Sequence, residues 1–203
     1  MTPADTVVVG VGPGTRLALD PAGWPDHPRR RADAWHHGRM TWTIRPADVR
    51  DADAWAAVLV QSWQEAYTHL LPEGFFTPEY VESRRQWWRG TLQDPPLGAV
   101  FRVGIQDGQI VGIAMAADAT GAEGEDVPRE RQLSLIYVLE SEYGTGLGQA
   151  LLDAVLGVDP AMLWVAERNP RAIRFYERNG FALDGLRRED EHRPLLSSVR
   201  MVR

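Results

Sequence analysis

The sequence predicts one α/β domain, of the α+β mixed type, in which helices flank a mixed sheet. Three observations indicate this class. Predicted strands and helices follow one another as a strand, two helices, a β-hairpin and then β-α-β-α-β-β. A chain of 203 residues has room for one hydrophobic core. The composition, 44% hydrophobic and 25% charged, is that of a folded globular protein.

Residues 1–39 differ in composition from the rest of the chain. They hold 5 of the 14 prolines and 5 of the 19 glycines, and no amphipathic period runs through them. We expect a poorly ordered N-terminal extension, with a docked arm as the alternative. The predicted domain covers residues 40–203 and starts at Met40.

The first predicted elements are a strand at residues 41–45 and a helix capped by Asp51. Apolar residues recur on one face of this helix every three or four positions: Trp55, Leu59, Trp63, Tyr67 and Leu70. Pro72 ends the helix, and a second one is predicted at residues 78–90.

The remaining elements follow from shorter signals. Two β-rich runs, residues 100–105 and 110–116, flank Asp107-Gly108, which favours a tight hairpin turn. A strand at 133–139 precedes a glycine-rich turn. The elements predicted after that turn are a helix at 149–156, a strand at 162–165, a helix at 170–179 and extended chain from Phe181.

Composition excludes several chemistries. Cysteine is absent, which rules out disulfides, thiolate metal sites and a cysteine nucleophile. All 22 basic residues are arginine, which rules out a Walker A loop and a Schiff-base lysine. The net charge of −6 argues against nucleic acid as a partner. No apolar run or secretory signal indicates a membrane, so we expect a cytoplasmic protein. The histidines His36, His37, His69 and His192 show no metal-ligand grouping, so we expect no metal.

Glycines alternate at positions 144, 146 and 148, between a predicted strand and a predicted helix. Glycine permits close approach of a ligand to the backbone, and the first amides of a helix lack internal partners and favour anions. The turn therefore suggests a pyrophosphate site. The alternative is a turn that needs glycine only for its conformation. Gln149 replaces the third glycine of a dinucleotide fingerprint, which disfavours a nicotinamide site.

The next helix is bounded by Asn169-Pro170 and by Gly180, typical start and stop signals. Together, the stretch Tyr143-Gly144-Thr145-Gly146-Leu147-Gly148 and the pattern N-x-x-A-x-x-F-Y-x-x-x-G-F over residues 169–181 resemble the two diagnostic motifs of the GNAT family of acyl-CoA-dependent N-acetyltransferases. The resemblance covers about residues 41–203, and its specific motifs lie within 133–181. One position departs from it: the family usually has Gln or Arg where this chain has Tyr143.

The resemblance implies a central mixed, mostly antiparallel sheet that is splayed between its fourth and fifth strands. It also implies acetyl-CoA as cosubstrate, held by the following residues: Tyr137, Val138, Leu139, Tyr143, Gly144, Thr145, Gly146, Leu147, Gly148, Gln149, Asn169, Ala172 and Tyr176. Three arginines on the second motif's helix, Arg171, Arg174 and Arg178, would reach the 3′-phosphate or adenine, or form a solvated face.

In the implied reaction, Tyr176 donates to the departing thiolate and backbone amides polarise the acetyl carbonyl. Without cysteine or lysine, direct attack of a primary amine in a ternary complex is the simplest route. Attack requires a base, for which Glu130 is our candidate, with Glu65 and Glu140 as ordinary surface acids beside it. Trp63 and Tyr67 would bind the acceptor, although core packing is the alternative for these and for Phe75, Phe76, Trp87 and Trp88.

The acceptor is expected to be a small-molecule or peptide amine, and a homodimer is possible because related proteins often form one. Two other functions stay open at this point. One is a noncatalytic acyl-CoA-binding or regulatory module, and the other is an acyltransferase that uses a longer acyl-CoA.

Overall fold

The computed structural model describes residues 42–121, 126–189 and 197–203. Its helices and strands are β1 Thr43–Pro46, α1 Ala52–Tyr67, α2 Pro78–Gln93, β2 Val100–Gln106, β3 Gln109–Asp118, β4 Arg131–Val138, α3 Leu147–Val155, β5 Met162–Ala166, α4 Pro170–Arg178, β6 Ala182–Arg188 and β7 Ser198–Val202. The strands form one sheet in the order β1-β2-β3-β4-β5-β7-β6. The predicted extension at 1–39 and the domain start at Met40 lie outside the described residues.

The sheet is mixed and mostly antiparallel, as predicted. The pair β4–β5 is parallel, and the other five pairs are antiparallel. The hairpin between β2 and β3 turns at Asp107 and Gly108, whose φ values of 49° and 78° both lie in the left-handed region. Two such residues form the tight turn that Asp-Gly favours, so this prediction is confirmed.

The start of α1 agrees with the prediction in position but not in its hydrogen bonds. A single 3-10 turn, Val49–Asp51, precedes the helix and is capped by Asp48, whose carboxylate accepts from the Arg50 amide at 2.9 Å. The Asp51 carboxylate accepts from the Asp48 amide at 2.8 Å and from Arg45 at 2.6 Å. Asp51 occupies the N-cap position of α1, as predicted, but its side chain makes no capping hydrogen bond to that helix. The predicted apolar face is confirmed, with its central side chains buried: Trp55, Leu59 and Trp63.

Each face of the sheet carries its own apolar cluster. Along β3, Ile113 and Met115 pack on the α1 and α2 side, whereas Ala114 and Ala116 pack on the α3 side. This alternation follows from the period of two along a strand. In the parts of the chain that the structure describes, no helix is both long and apolar enough to cross a membrane.

Glycines bring α3 close to the sheet. Gly104 of β2 and Gly112 of β3 lie opposite each other. A Cβ at Gly104 would lie 2.6 Å from a Leu147 methyl carbon, and one at Gly112 would lie 2.9 Å from a Leu151 methyl carbon. The first turn of α3, and with it the glycine-rich turn, is therefore held against the middle of the sheet.

The sheet opens between β4 and β5. These strands pair only at Gln132–Met162 and Leu133–Leu163. The register between β3 and β4 shifts directly afterwards, between Met115 and Ala116, which leaves Ser134 as an extra residue on β4. A bulge bends its strand, so β4 turns away from β5 at this position. The predicted splay between the fourth and fifth strands is present, and it creates the candidate site.

Candidate active site

A cavity of about 600 Å³ occupies the opening between the two strands. One wall consists of residues 136–138 of β4 and the glycine-rich turn, and the other consists of residues 164–166 of β5 and one side of α4. The C-terminal half of α1 covers the cavity with Ser62, Trp63 and Tyr67. The two sequence motifs therefore face each other across one space.

The exposed edge of β4 offers backbone groups to this space. The Leu139 amide donates to the Val111 carbonyl at 3.0 Å. Because backbone direction alternates along a strand, the amide of Tyr137 also faces β3, while those of Ile136 and Val138 face the opening. Of the three predicted positions on this strand, Tyr137 and Val138 line the cavity and Leu139 does not. Ile136 is a lining residue that the sequence did not identify.

The glycine-rich turn presents a row of free amides. Gly144 and Gly146 have φ values of 79° and 89°, which favour glycine. Thr145 shapes the turn, because its hydroxyl donates to the Glu142 carbonyl at 2.8 Å and accepts from the Leu147 amide at 3.3 Å. Among the described residues, four amides of the turn have no acceptor: Gly144, Gly146, Gly148 and Gln149.

These amides lie at the N-terminal end of α3, where backbone N–H groups and the helix dipole favour an anion. All four of their residues line the cavity, whereas Thr145 and Leu147 do not. The Gln149 side chain is held away by hydrogen bonds to Asp153 at 2.9 Å and Asn179 at 2.7 Å, so its contribution is its amide.

Helix α4 delivers Tyr176 to the cavity. Asn169 caps the helix by accepting from the Ala172 amide at 2.9 Å, and both residues line the cavity. At the other end, the Phe181 amide donates to the Tyr176 carbonyl and the Gly180 amide to the Glu177 carbonyl. This is a Schellman motif. The Phe181 ring packs edge-on against Tyr176 with 5.9 Å between centroids, so the F-Y-x-x-x-G-F pattern fixes the position of this tyrosine.

Four tyrosines line the cavity, and three of them are less exposed than Tyr143: Tyr67, Tyr137 and Tyr176. Burial raises the pKa of each above its ordinary value, and the proximity of Tyr67 raises the pKa of the other two further. The Tyr137 hydroxyl accepts from Trp63 Nε1 and the Tyr67 hydroxyl from Asn169 Nδ2, both at 2.9 Å. These phenols stay neutral at physiological pH, so each O–H remains a hydrogen-bond donor.

Of the three carboxylates considered as the base, two line the cavity and one does not. Glu130 precedes β4 and lies six residues before Ile136, which is about 20 Å along an extended strand. It does not line the cavity, so the structure does not bring it to Tyr176. Glu65 and Glu140 do line it. Glu65 Oε2 accepts from the Glu140 amide at 2.9 Å, and its other oxygen accepts from Gln61, which fixes the carboxylate beside the end of β4.

Three arginines line the other wall: Arg168, Arg171 and Arg178. None of them forms a salt bridge within the described ranges. Of the three arginines predicted from the sequence, Arg171 and Arg178 line the cavity, and Arg174 is exposed outside it. The guanidinium carbon of Arg171 lies 3.0 Å from the centroid of the Tyr143 ring. This half of the cavity is positive, in a chain with a net charge of −6.

Trp63 and Tyr67 line the cavity, and Trp63 is also 96% buried in the core under α1. The other aromatic candidates of this region lie outside the cavity, in contacts with one another: Phe75, Phe76, Trp87 and Trp88. Five buried residues of the lining were not identified from the sequence: Ser62, Glu142, Trp164, Val165 and Ala166. Ser62 had a sequence signal, a polar residue three positions after Leu59 on an apolar face. No group of three or more possible metal ligands occurs in the described part of the chain.

Comparison with known proteins agrees with this geometry. The model of the Acetyltransferase (GNAT) family matches residues 58–181. An uncharacterized N-acetyltransferase of Mycobacterium tuberculosis is 39% identical over 148 residues, which cover 68% of this chain and 88% of that protein. A mycothiol acetyltransferase of Thermobispora bispora is 34% identical over 143 residues, 65% of this chain, but the match spans only 43% of that longer protein.

Solved structures share the fold. One described as histone acetyltransferase HPA2 and related acetyltransferase, from Corynebacterium glutamicum, has a TM-score of 0.60 at 21% identity, covering 80% of this chain and 96% of the other. The PaiA N-acetyltransferase of Thermoplasma acidophilum, solved in complex with coenzyme A, has a TM-score of 0.54 at 18% identity, covering 80% and 98%.

Proposed function

Because the chain belongs to the acetyltransferase (GNAT) family, we propose that it transfers an acetyl group from acetyl-CoA to a primary amine. The amine attacks directly, in a ternary complex. The observation that carries this proposal is one cavity whose lining includes both free backbone amides and the buried Tyr176.

The residues of the cavity fit the parts of coenzyme A. Its phosphates match the four unpartnered amides and the three arginines without salt bridges. Its arm carries amide groups, which match the backbone of Ile136 and Val138 at the edge of β4. When bound, acetyl-CoA supplies an acyl thioester, and its thiol is the leaving group.

Tyr176 donates a hydrogen bond to the departing sulfur. An ordinary phenol has a pKa near 10 and a thiol one near 8.5, so full proton transfer is uphill by about 2 kcal/mol. Burial raises the pKa of Tyr176 above that ordinary value and makes full transfer less favourable still. The tyrosine therefore acts as a fixed neutral donor that stabilises developing negative charge.

Glu65 receives the proton of the attacking amine, directly or through a water. It is a carboxylate of the cavity lining whose orientation is fixed, and it lies on α1 between Trp63 and Tyr67. Glu142 also lines the cavity but is 97% buried beneath the turn, where its carboxylate faces the Gln106 amide. The acceptor is a small-molecule or peptide amine, which contacts Trp63 and Tyr67.

The test is an acceptor screen on the full chain that follows release of free thiol from acetyl-CoA and formation of the acetylated amine. We expect both products in equal amounts with at least one class of primary amine. Binding of coenzyme A without turnover across small-molecule and peptide amines would favour a noncatalytic module. Faster turnover with a longer acyl-CoA would identify a different donor.

A further inference from the structure

The contact between Tyr143 and Arg171 joins the two walls of the cavity. Tyr143 stands at the start of the glycine-rich turn, on the β4 side. Arg171 belongs to the first turn of α4, on the β5 side. With 3.0 Å between the guanidinium carbon and the ring centroid, the cation lies directly on the aromatic face. The pair therefore forms a strap over the phosphate end of the cavity.

The Tyr143 ring holds the guanidinium of Arg171, which has no acidic partner among the described residues. Arg171 forms no salt bridge in the described ranges. Burial raises the pKa of the Tyr143 hydroxyl, the charge of Arg171 opposes this rise, and the nearby Glu65 and Glu140 add to it. Stacking uses the face of the planar guanidinium and leaves N–H donors at its edge. Tyr143 is 37% exposed as a residue, so solvent and ligand reach this part of the cavity.

The anion site beside the strap has donors but no charged side chain of its own. The four free amides belong to three glycines and to Gln149, whose side chain points toward Asp153 and Asn179. Amides alone bind an anion through partial charges, whereas a guanidinium adds a full charge and two parallel donors. The stack on Tyr143 holds Arg171 next to the glycine-rich turn, where it can supply this charge.

We propose that Arg171 binds the pyrophosphate of the acyl donor and that Tyr143 is its positioning residue. The inference rests on the proposed function, since it assumes that coenzyme A occupies this cavity. The positive charge that binds the pyrophosphate beside the glycine-rich turn then comes from a residue of α4. Tyr143 positions that residue through its ring rather than through its hydroxyl.

The experiment is calorimetric titration of the full chain with coenzyme A, dephospho-coenzyme A and pantetheine. We expect Arg171→Ala to weaken binding of the first two about tenfold or more and to leave pantetheine within twofold, because pantetheine lacks the pyrophosphate. Arg174→Ala is the matched control, since Arg174 lies on the same helix outside the cavity. It should leave all three affinities within twofold.

Variants of Tyr143 test the positioning role. Tyr143→Ala should weaken coenzyme A binding severalfold, and Tyr143→Phe should restore it, because the ring carries the stacking. Tyr143→Ala combined with Arg171→Ala should bind no more weakly than Arg171→Ala alone. Adding Tyr143→Arg to the Arg171→Ala chain returns a guanidinium to the strap from the turn and should recover most of the affinity.

The outcomes separate the two proposals. If the unmodified chain does not bind coenzyme A, the proposed function fails. If it binds and Arg171→Ala stays within twofold, the strap inference fails alone. Weakening of coenzyme A without weakening of dephospho-coenzyme A would assign Arg171 to the 3′-phosphate and overturn the pyrophosphate assignment. Equal loss in Tyr143→Phe and Tyr143→Ala would contradict the stacking role of the ring.

Discussion

The substitution Gly148→Ala should separate ligand binding from folding. Gly148 is the second residue of α3. An added Cβ would lie 3.8 Å from a Val138 methyl carbon and 3.9 Å from the Phe175 ring, which are ordinary contacts. Because alanine also favours a helix over glycine by about 0.5–1 kcal/mol, we expect the variant to be as stable as the parent or more stable.

The same substitution should weaken the binding of coenzyme A. The Gly148 amide has no acceptor among the described residues, and the residue lines the cavity. A hydrogen bond from this amide brings a phosphate oxygen to about 2.9 Å from the nitrogen, where an added methyl group crowds it. We expect the affinity for coenzyme A to fall at least about tenfold, which corresponds to about 1.4 kcal/mol.

Gly90→Ala is the matched control, because Gly90 lies within α2 and a Cβ there meets nothing within 4 Å. Thermal unfolding and calorimetry with coenzyme A are measured for both variants. Both melting temperatures should stay level or rise by about 1–4 °C, and only Gly148→Ala should lose affinity. A Gly148→Ala chain that binds coenzyme A as tightly as the parent would refute the amide site.

Four further outcomes follow. Tyr176→Phe should lower turnover about 100-fold with little change in coenzyme A affinity; unchanged turnover with chemistry rate-limiting would remove its role. In steady-state assays Glu65→Gln should lower turnover about tenfold or more and Glu130→Gln should not, and the reverse result would make Glu130 the base. The raised pKa of Tyr176 means that the unfolded chain loses this proton first. The free energy of unfolding in urea should therefore fall above about pH 10, less steeply in Tyr176→Phe, and equal slopes would contradict the assignment. Gly112→Ala should destabilise the fold by about 1–3 kcal/mol, because its Cβ would lie 2.9 Å from Leu151, and an unchanged urea midpoint would contradict that packing.

Local signals predicted much of the fold. The apolar period of α1, the Asp107-Gly108 turn and the caps of α4 each depend on residues close together in the chain, and each is present. Asp51 stands at the predicted N-cap position of α1, but its carboxylate accepts from Arg45 and from the Asp48 amide and therefore does not bond to the helix.

The candidate site was less readable because its geometry depends on distant contacts. The family resemblance implied the opening of the sheet, but no local sequence signal marks the bulge at Ser134 from which the opening follows. Glu65 and Glu130 look alike in the sequence, and only the crossing of α1 over β4 separates them. The stack of Arg171 on Tyr143 joins residues 28 positions apart and required the fold to be found.

Amide chemical shifts on adding coenzyme A to the ¹⁵N-labelled full chain test the anion site most directly. Saturable shifts at Gly144, Gly146, Gly148 and Gln149, absent with pantetheine, are the expected result, since these N–H groups are free to donate. Saturation of binding with those four resonances unmoved would place the phosphates elsewhere and contradict the account.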